Sequence, residues 1–330
     1  MQYRQFGNTS LQVSEVGFGA WAIGGNAMIG NTAIGWGLSD DAVSKKAIHA
    51  ALDVGINFFD TADIYGLGHS EQLLGKTLMD KPEVIIASKV GNVSRQNQFT
   101  FDYSASHIID ACQQSLLRLG RQVIDYYQLH TARIKHLENG ECIQAMQTLQ
   151  QQGKIRYWGL SLNTFHPVPE AEFLMEKQLG SGFQLVFNLI NQRSLSLIKN
   201  AAAQGYGIVA RMPLQFGLLT HKFLGDSTFE NDDHRSTRLT KKIIELGNGI
   251  LKHNLQSLCD KYQTSYTGLA LSFIVSYPQV STVIPGIRTT RHAIENTKSI
   301  VLLEQADQRL MEDLYTSDFS FLLDMIEKQG

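Results

Sequence analysis

The chain has 330 residues, 43% of them hydrophobic, and a net charge of −2; a large core is affordable, and nothing in the charge points to nucleic acid or an anionic membrane surface. Three cysteines (Cys112, Cys142 and Cys259) show neither a CxxC pair nor zinc-ligand spacing, MQYRQFGNTS at the amino end has no apolar signal core, and no apolar run reaches the length of a bilayer span. These features predict a soluble cytoplasmic protein with reduced core thiols and no metal site.

Residues 2–14 read as two short strands joined at Gly7-Asn8, and Val16 to Phe18 as a third, followed by a Gly- and Ala-rich loop from Gly19 to Leu38. Asp40 and Asp41 open a helix with Val43, Ala47, Ile48, Ala51 and Leu52 on one face and Gly55 as its stop. In FFDTADIYGLGHSEQLLG (58–75) an apolar strand ends at Asp60, a turn-rich segment carries Tyr65, and Ser70 and Glu71 start a helix with Leu73, Leu74, Thr77 and Leu78 on its apolar side. The alternation then repeats. Strands are expected at 84–88, 123–129, 155–160, 183–189, 207–211 and 281–286. Helices follow near 104–119, through Cys142 to Leu149, and near 168–178, 195–203, 241–261, 265–276 and 291–298. A polar segment spans 220–240, and a last helix near 304–316 precedes an apolar tail with Phe319, Phe321, Leu322 and Leu323.

Solid apolar strands alternating with helices, without a Pro- or Ser-rich linker, predict one domain over residues 1–330. Its fold class is α/β, a single (β/α)8 TIM barrel with an N-terminal β-hairpin and extra C-terminal helices. The doubly wound alternative needs a glycine-rich dinucleotide turn between a strand and a helix. GFGAWA (17–22) leads into Gly24-Gly25-Asn26 and GYGIVA (205–210) precedes a strand, so neither has the required context.

In a barrel, residues at the carboxyl ends of the strands face one mouth. Here they are Trp21, Asp60 with Tyr65, Lys89, His130, Ser161, Gln184, Arg211, and Gly286 with Arg288. A buried lysine needs an anion, and Asp60 on the neighbouring strand supplies one. A nearby ammonium favours a phenolate, so Lys89 is expected to lower the pKa of Tyr65 and fit it for proton transfer. With His130 orienting a carbonyl oxygen, the implied reaction is protonation of the oxyanion formed when hydride adds to a carbonyl.

The sequence resembles the aldo-keto reductase family over nearly its whole length. The resemblance is carried by FGAWAIGG, FFDTADIYGLGHSEQLLG, ASKVG, YYQLH, GKIRYWGLS, FQLVFNLINQR, MPLQFGLLTHKF and TVIPGIRTTRHAIEN. It implies a (β/α)8 barrel that binds NADPH (NADP+) across the mouth, with NADH as the alternative, and a catalytic tetrad on Asp60, Tyr65, Lys89 and His130 with Tyr65 as proton donor. For the cofactor it implies Trp21, Ser161, Gln184 and Asn163, although Leu162 here separates the last from Ser161. Arg211 stands where many members stack a tyrosine on the nicotinamide, followed by Pro213, Leu214 and Gly217. Gly286, Arg288 and His292 fall in the phosphate-binding region, and Glu295 and Asn296 near the adenine.

The loop 25–37, with Met28, Ile29, Ile34 and Trp36, is expected to wall the substrate pocket. NDDHRSTR (231–238) is expected to form a solvated lid rather than a metal site. The expected partner is a small-molecule carbonyl substrate, not nucleic acid or membrane, with monomer and homo-oligomer both open. Two other readings remain beside the reductase: a cofactor-sensing regulatory subunit with slow turnover, and an NAD(P)+-dependent sugar dehydrogenase.

Overall fold

The structure, a computed structural model, describes residues 1–329. Its strands are β1 (Tyr3–Gln5), β2 (Gln12–Ser14), β3 (Phe18–Gly19), β4 (Met28–Ile29), β5 (Thr32–Ala33), β6 (Phe58–Asp60), β7 (Ile85–Val90), β8 (Asn92–Arg95), β9 (Gln98–Phe101), β10 (Ile124–His130), β11 (Ile155–Ser161), β12 (Gly182–Val186), β13 (Gly207–Arg211) and β14 (Thr282–Ile284). The helices are α1 (Asp41–Asp53), α2 (His69–Thr77), α3 (Ala105–Leu119), α4 (Ile134–Asn139), α5 (Glu141–Gln151), α6 (Val168–Glu176), α7 (Leu195–Ala203), α8 (Lys241–Tyr262), α9 (Tyr266–Val275), α10 (Thr290–Lys298), α11 (Gln305–Asp313) and α12 (Asp318–Glu327).

Strands β3, β6, β7, β10, β11, β12, β13 and β14 form one 8-stranded sheet in chain order. Parallel bridges from Val16 to Val283 and from Gly19 to Gly286 bring its first and last strands together. This is the (β/α)8 barrel with the expected amino-terminal hairpin, β1 pairing antiparallel with β2. The register aligns Asp60 with Ala87, Lys89 with Gln128, and His130 with Ser161, which in turn faces Gln184. Because side chains alternate along a strand, Phe58 and Asp60, Ala87 and Lys89, and Tyr126, Gln128 and His130 all point the same way. That way is the barrel interior.

The interior is apolar at the bottom and polar at the top. Phe6, Leu11, Val13, Phe58, Ile85, Ala87, Tyr126, Val209 and Ile284 make a buried cluster at the hairpin end. Phe6 is fully buried and meets Tyr126 edge-on at 4.8 Å, so the hairpin closes that end of the barrel. Phe6→Ala should cost about 3–5 kcal/mol of stability, read by denaturant unfolding. A loss below 1 kcal/mol would show that the hairpin does not plug the core. A second, larger core fills the space between the strands and the helices and includes all three cysteines. Burial pushes these thiols up, Cys112 to about 12 and Cys142 and Cys259 to about 11, so they are unreactive near neutrality.

The predicted elements are present, with additions. Hairpin β8–β9 was not expected, because its tight turn uses Gln96 and Asn97, both at positive φ (49° and 61°), where a glycine usually signals such a turn. Helix α12 does carry a signal, since Phe319, Leu322, Leu323 and Ile326 bury one helical face. Among the described residues no helix is long and apolar enough to cross a membrane, and no group of His, Cys, Asp or Glu could hold a metal ion.

Candidate active site

The mouth is built around Lys89, which is fully buried. Its Nζ donates to Asp60 Oδ2 at 2.6 Å, to the Thr61 carbonyl at 2.9 Å and to the Tyr65 hydroxyl at 3.4 Å. The other Asp60 oxygen accepts from Gln184 Nε2 at 2.7 Å and Gln128 Nε2 at 3.3 Å. Burial disfavours the Lys89 ammonium, but Asp60 and the Tyr65 oxygen offset it, and its pKa lies above the ordinary lysine value.

The expectation for Tyr65 is corrected. Desolvation outweighs the Lys89 charge, so the phenol pKa is raised rather than lowered, with Asp60 pushing the same way and Arg211 opposing. The lysine therefore limits the rise without reversing it. His130 goes the other way: burial first, then the charges of Lys89 and Arg211, hold it well below the ordinary histidine value, and it is neutral. Its ring meets Tyr65 edge-on at 6.0 Å, and Nδ1 is enclosed without a partner. Tyr103 Oη donates to the His130 carbonyl at 2.6 Å, and Thr131 follows at φ 65°, which pins the strand end.

Over Tyr65 lies an aromatic stack. Trp21 is parallel to Tyr65 at 5.7 Å and to His234 at 4.5 Å, while Trp36 meets Trp21 edge-on at 5.4 Å. The loop 25–37 and the segment 231–238 thus meet above the mouth, joined by a bridge between Trp36 and Asp233. The expectation of a solvated lid fails here, since Asp233 and His234 are buried and Arg235 pairs with Asp233. His234 donates through Nδ1 to the Gly35 carbonyl at 2.9 Å, and burial lowers its pKa to about 4. Because the folded pKa is depressed, the unfolded chain takes up a proton first as pH falls. The contribution is complete above about pH 6.5 and is lost on descending to about pH 4, for a total of about 3 kcal/mol. Unfolding measured from pH 7 to 4 should show this loss shrinking in His234→Gln; an unchanged pH slope would rule it out.

The residues assigned to the cofactor by resemblance lie around the same rim. Ser161 is buried at the end of β11, and the Asn163 side-chain oxygen caps the following turn by accepting from the Phe165 and His166 amides at 3.0 and 2.9 Å. Gln184 reaches inward to Asp60. Arg211 donates to the Leu162 carbonyl at 3.0 Å and to Thr164 Oγ1 at 3.2 Å, with Nε enclosed and unpartnered. After it, Pro213, Leu214 and Gly217 belong to a strained segment in which Met212, Gln215 and Phe216 have positive φ, held by Asn188 through the Met212 carbonyl and Gln215.

At the far side Gly286 is exposed, and Arg288 donates to the Trp36 and Leu38 carbonyls, tying α10 to the first loop. His292 Nδ1 accepts from the Arg288 amide at 3.4 Å, Glu295 pairs with Arg291 at 2.6 Å, and Asn296 is buried with Nδ2 unpartnered. Lys222 joins this cluster; burial and then the charges of Arg235 and Arg288 lower its pKa.

Gln128, Lys222, Thr164, Phe216 and Arg238 at this site were not singled out in the sequence. Gln128 carried a signal, being a polar residue in an apolar strand two positions before His130 and so on the same face. The others lie in loops whose path only the fold sets.

The comparisons agree with this geometry. The pattern described as Aldo/keto reductase family matches residues 15–315. Uncharacterized oxidoreductase YqkF of Bacillus subtilis is 28% identical, covering 91% of each chain. L-galactose dehydrogenase of Arabidopsis thaliana is 27% identical over 95% of this chain and 93% of its own. The structure of the glycerol dehydrogenase AKR11B4 from Gluconobacter oxydans superposes with a TM-score of 0.79 at 28% identity, over 95% of this chain and 94% of that one. With an eight-stranded barrel, strand ends carrying Asp60, Lys89 and His130 beside Tyr65, and a pattern match across most of its length, the chain belongs to the aldo/keto reductase family of nicotinamide-dependent oxidoreductases.

Proposed function

We propose that this protein reduces an aldehyde or ketone to an alcohol with NADPH, NADH being the alternative cofactor, and that Tyr65 is the general acid. The observation that carries the reading is the buried chain from Asp60 through Lys89 to the Tyr65 hydroxyl, with a neutral His130 beside it. When bound, the cofactor supplies hydride to the carbonyl carbon. Tyr65 keeps its proton at neutral pH, as an ordinary phenol does and the more so with its pKa raised, and so stands loaded to protonate the oxygen on which charge develops. Lys89 then faces the phenolate, and the carboxylate of Asp60, held by two glutamine amides, keeps that ammonium in place. His130 orients the carbonyl oxygen.

The residues suit such a cofactor. Asn296 Nδ2 and Trp36 Nε1 are enclosed polar atoms without partners, and the Lys222, Arg288 and Arg291 cluster suits phosphates. We assign Trp21, Ser161, Asn163, Gln184, Arg211, Pro213, Leu214 and Gly217 to the nicotinamide half. Gly286, Arg288, His292, Glu295 and Asn296 are assigned to the adenosine half, and the extra cation Lys222 favours NADPH.

The test is steady-state oxidation of NADPH and NADH with a panel of aldehydes and ketones. Turnover slower than about one per hour across the panel would replace the enzyme by a cofactor-sensing subunit. A second reading, oxidation of a sugar or polyol, is favoured by the named activities of the relatives. Oxidation requires the Tyr65 phenolate, so its rate should climb with pH while reduction does not; oxidation dominating at pH 7 would favour the dehydrogenase.

A further inference from the structure

Beside the tetrad is a cavity of about 130 Å³ whose walls include Trp21, Phe165, Phe216 and Ile326 and whose charged lining, among the described residues, is Arg211 and Arg238. Arg211 is partly buried, yet its acceptors are neutral, the Leu162 carbonyl, Thr164 Oγ1 and Met212 Sδ, and it forms no ion pair among the described residues. Asp60, the acid that acts on it, is already engaged by Lys89, Gln128 and Gln184. With Tyr65 protonated and His130 neutral, Lys89 and Arg211 against Asp60 leave the tetrad and Arg211 together with one positive charge in excess. A guanidinium withdrawn from water is costly unless an anion meets it. The strained segment from Met212 to Phe216, held by Asn188, keeps this side of the cavity in place.

We propose that the preferred substrate is a carbonyl compound bearing a carboxylate, with Arg211 as the group that receives the carboxylate while the carbonyl lies at Tyr65 and His130. This rests on the reductase reading. A phosphate of the cofactor is the other anion that could meet Arg211, but the Lys222, Arg288 and Arg291 cluster across the rim suits phosphates, and the test separates the two. Apolar walls and one cationic end select a compact acid with a hydrophobic body. A planar carboxylate can use the open Nε–H of Arg211.

The probes are 4-carboxybenzaldehyde and its methyl ester, compared by kcat/KM with saturating NADPH at low salt. The acid should be favoured by roughly tenfold or more, the effect of one charge-assisted hydrogen bond, and the ratio should fall with added salt and fall at least as far in Arg211→Gln. Any effect through the cofactor acts on both substrates and cancels in the ratio. An acid-to-ester ratio of one or below in the native protein, or a ratio unchanged in the variant, overturns the proposal, whereas reduction of neither compound overturns the reductase reading itself. Should Arg211→Gln not fold, tryptophan fluorescence of the native protein decides. Benzoate should quench it at least tenfold more tightly than benzamide with NADPH bound; equal affinities, or loss of benzoate binding on saturation with NADPH, overturn the proposal.

Discussion

Tyr65→Phe is expected to lower kcat by about 10³-fold, in the range contributed by a positioned general acid, while leaving cofactor affinity nearly unchanged. The substitution removes one hydroxyl and keeps the ring that lies parallel to Trp21 at 5.7 Å, so the wall of the mouth is preserved. Lys89 loses only its longest contact, at 3.4 Å, and keeps Asp60 and the Thr61 carbonyl. The loss should thus fall on kcat rather than on folding. Single-turnover kinetics at saturating NADPH, with cofactor fluorescence as the binding readout, would measure both. A variant within tenfold of the native rate would remove Tyr65 from the role of acid, and His130 would be next to test.

Lys89→Met should have the largest combined effect, lowering stability by about 3–5 kcal/mol as well as turnover, because it breaks a fully buried ion pair from one side. Asp60 would remain in the barrel interior with only the two glutamine amides, a buried charge without its partner. The double variant Asp60→Asn/Lys89→Met should recover part of the loss. Denaturant unfolding of the native protein and both variants reads this directly. A single variant within 1 kcal/mol of the native protein would mean that water reaches Lys89 and that the pair is not desolvated.

Much of the barrel was legible because its signals are local. The strand-and-helix alternation is a matter of apolar period, and helix α1 begins where Asp40 accepts from the Ala42 and Val43 amides, as an N-cap must. Asp60, Lys89 and His130 could be placed at one mouth because each ends a predicted parallel strand. The balance of forces at Tyr65 was not legible. The charge of Lys89 is visible in the sequence, but the depth of burial that outweighs it belongs to the assembled barrel. NDDHRSTR shows the same limit: its composition reads as solvated, yet the fold lays His234 flat against Trp21.

Sequence by itself determined the eightfold alternation and the strand-end places of Asp60, Lys89 and His130, because periodicity and strand-end position survive without knowledge of any long-range contact; the family was legible in the resemblance of its motifs. Only the tertiary structure decided how those residues behave. Barrel stagger set Lys89 level with Gln128, supplying Asp60 with the amides that hold it. The fold stacks Trp21 on both Tyr65 and His234, and a partly buried Arg211 is left without a carboxylate among the described residues. Burial and partnership are sums over residues distant in the chain, and the pKa of a phenol or the need of a guanidinium for an anion follows from those sums.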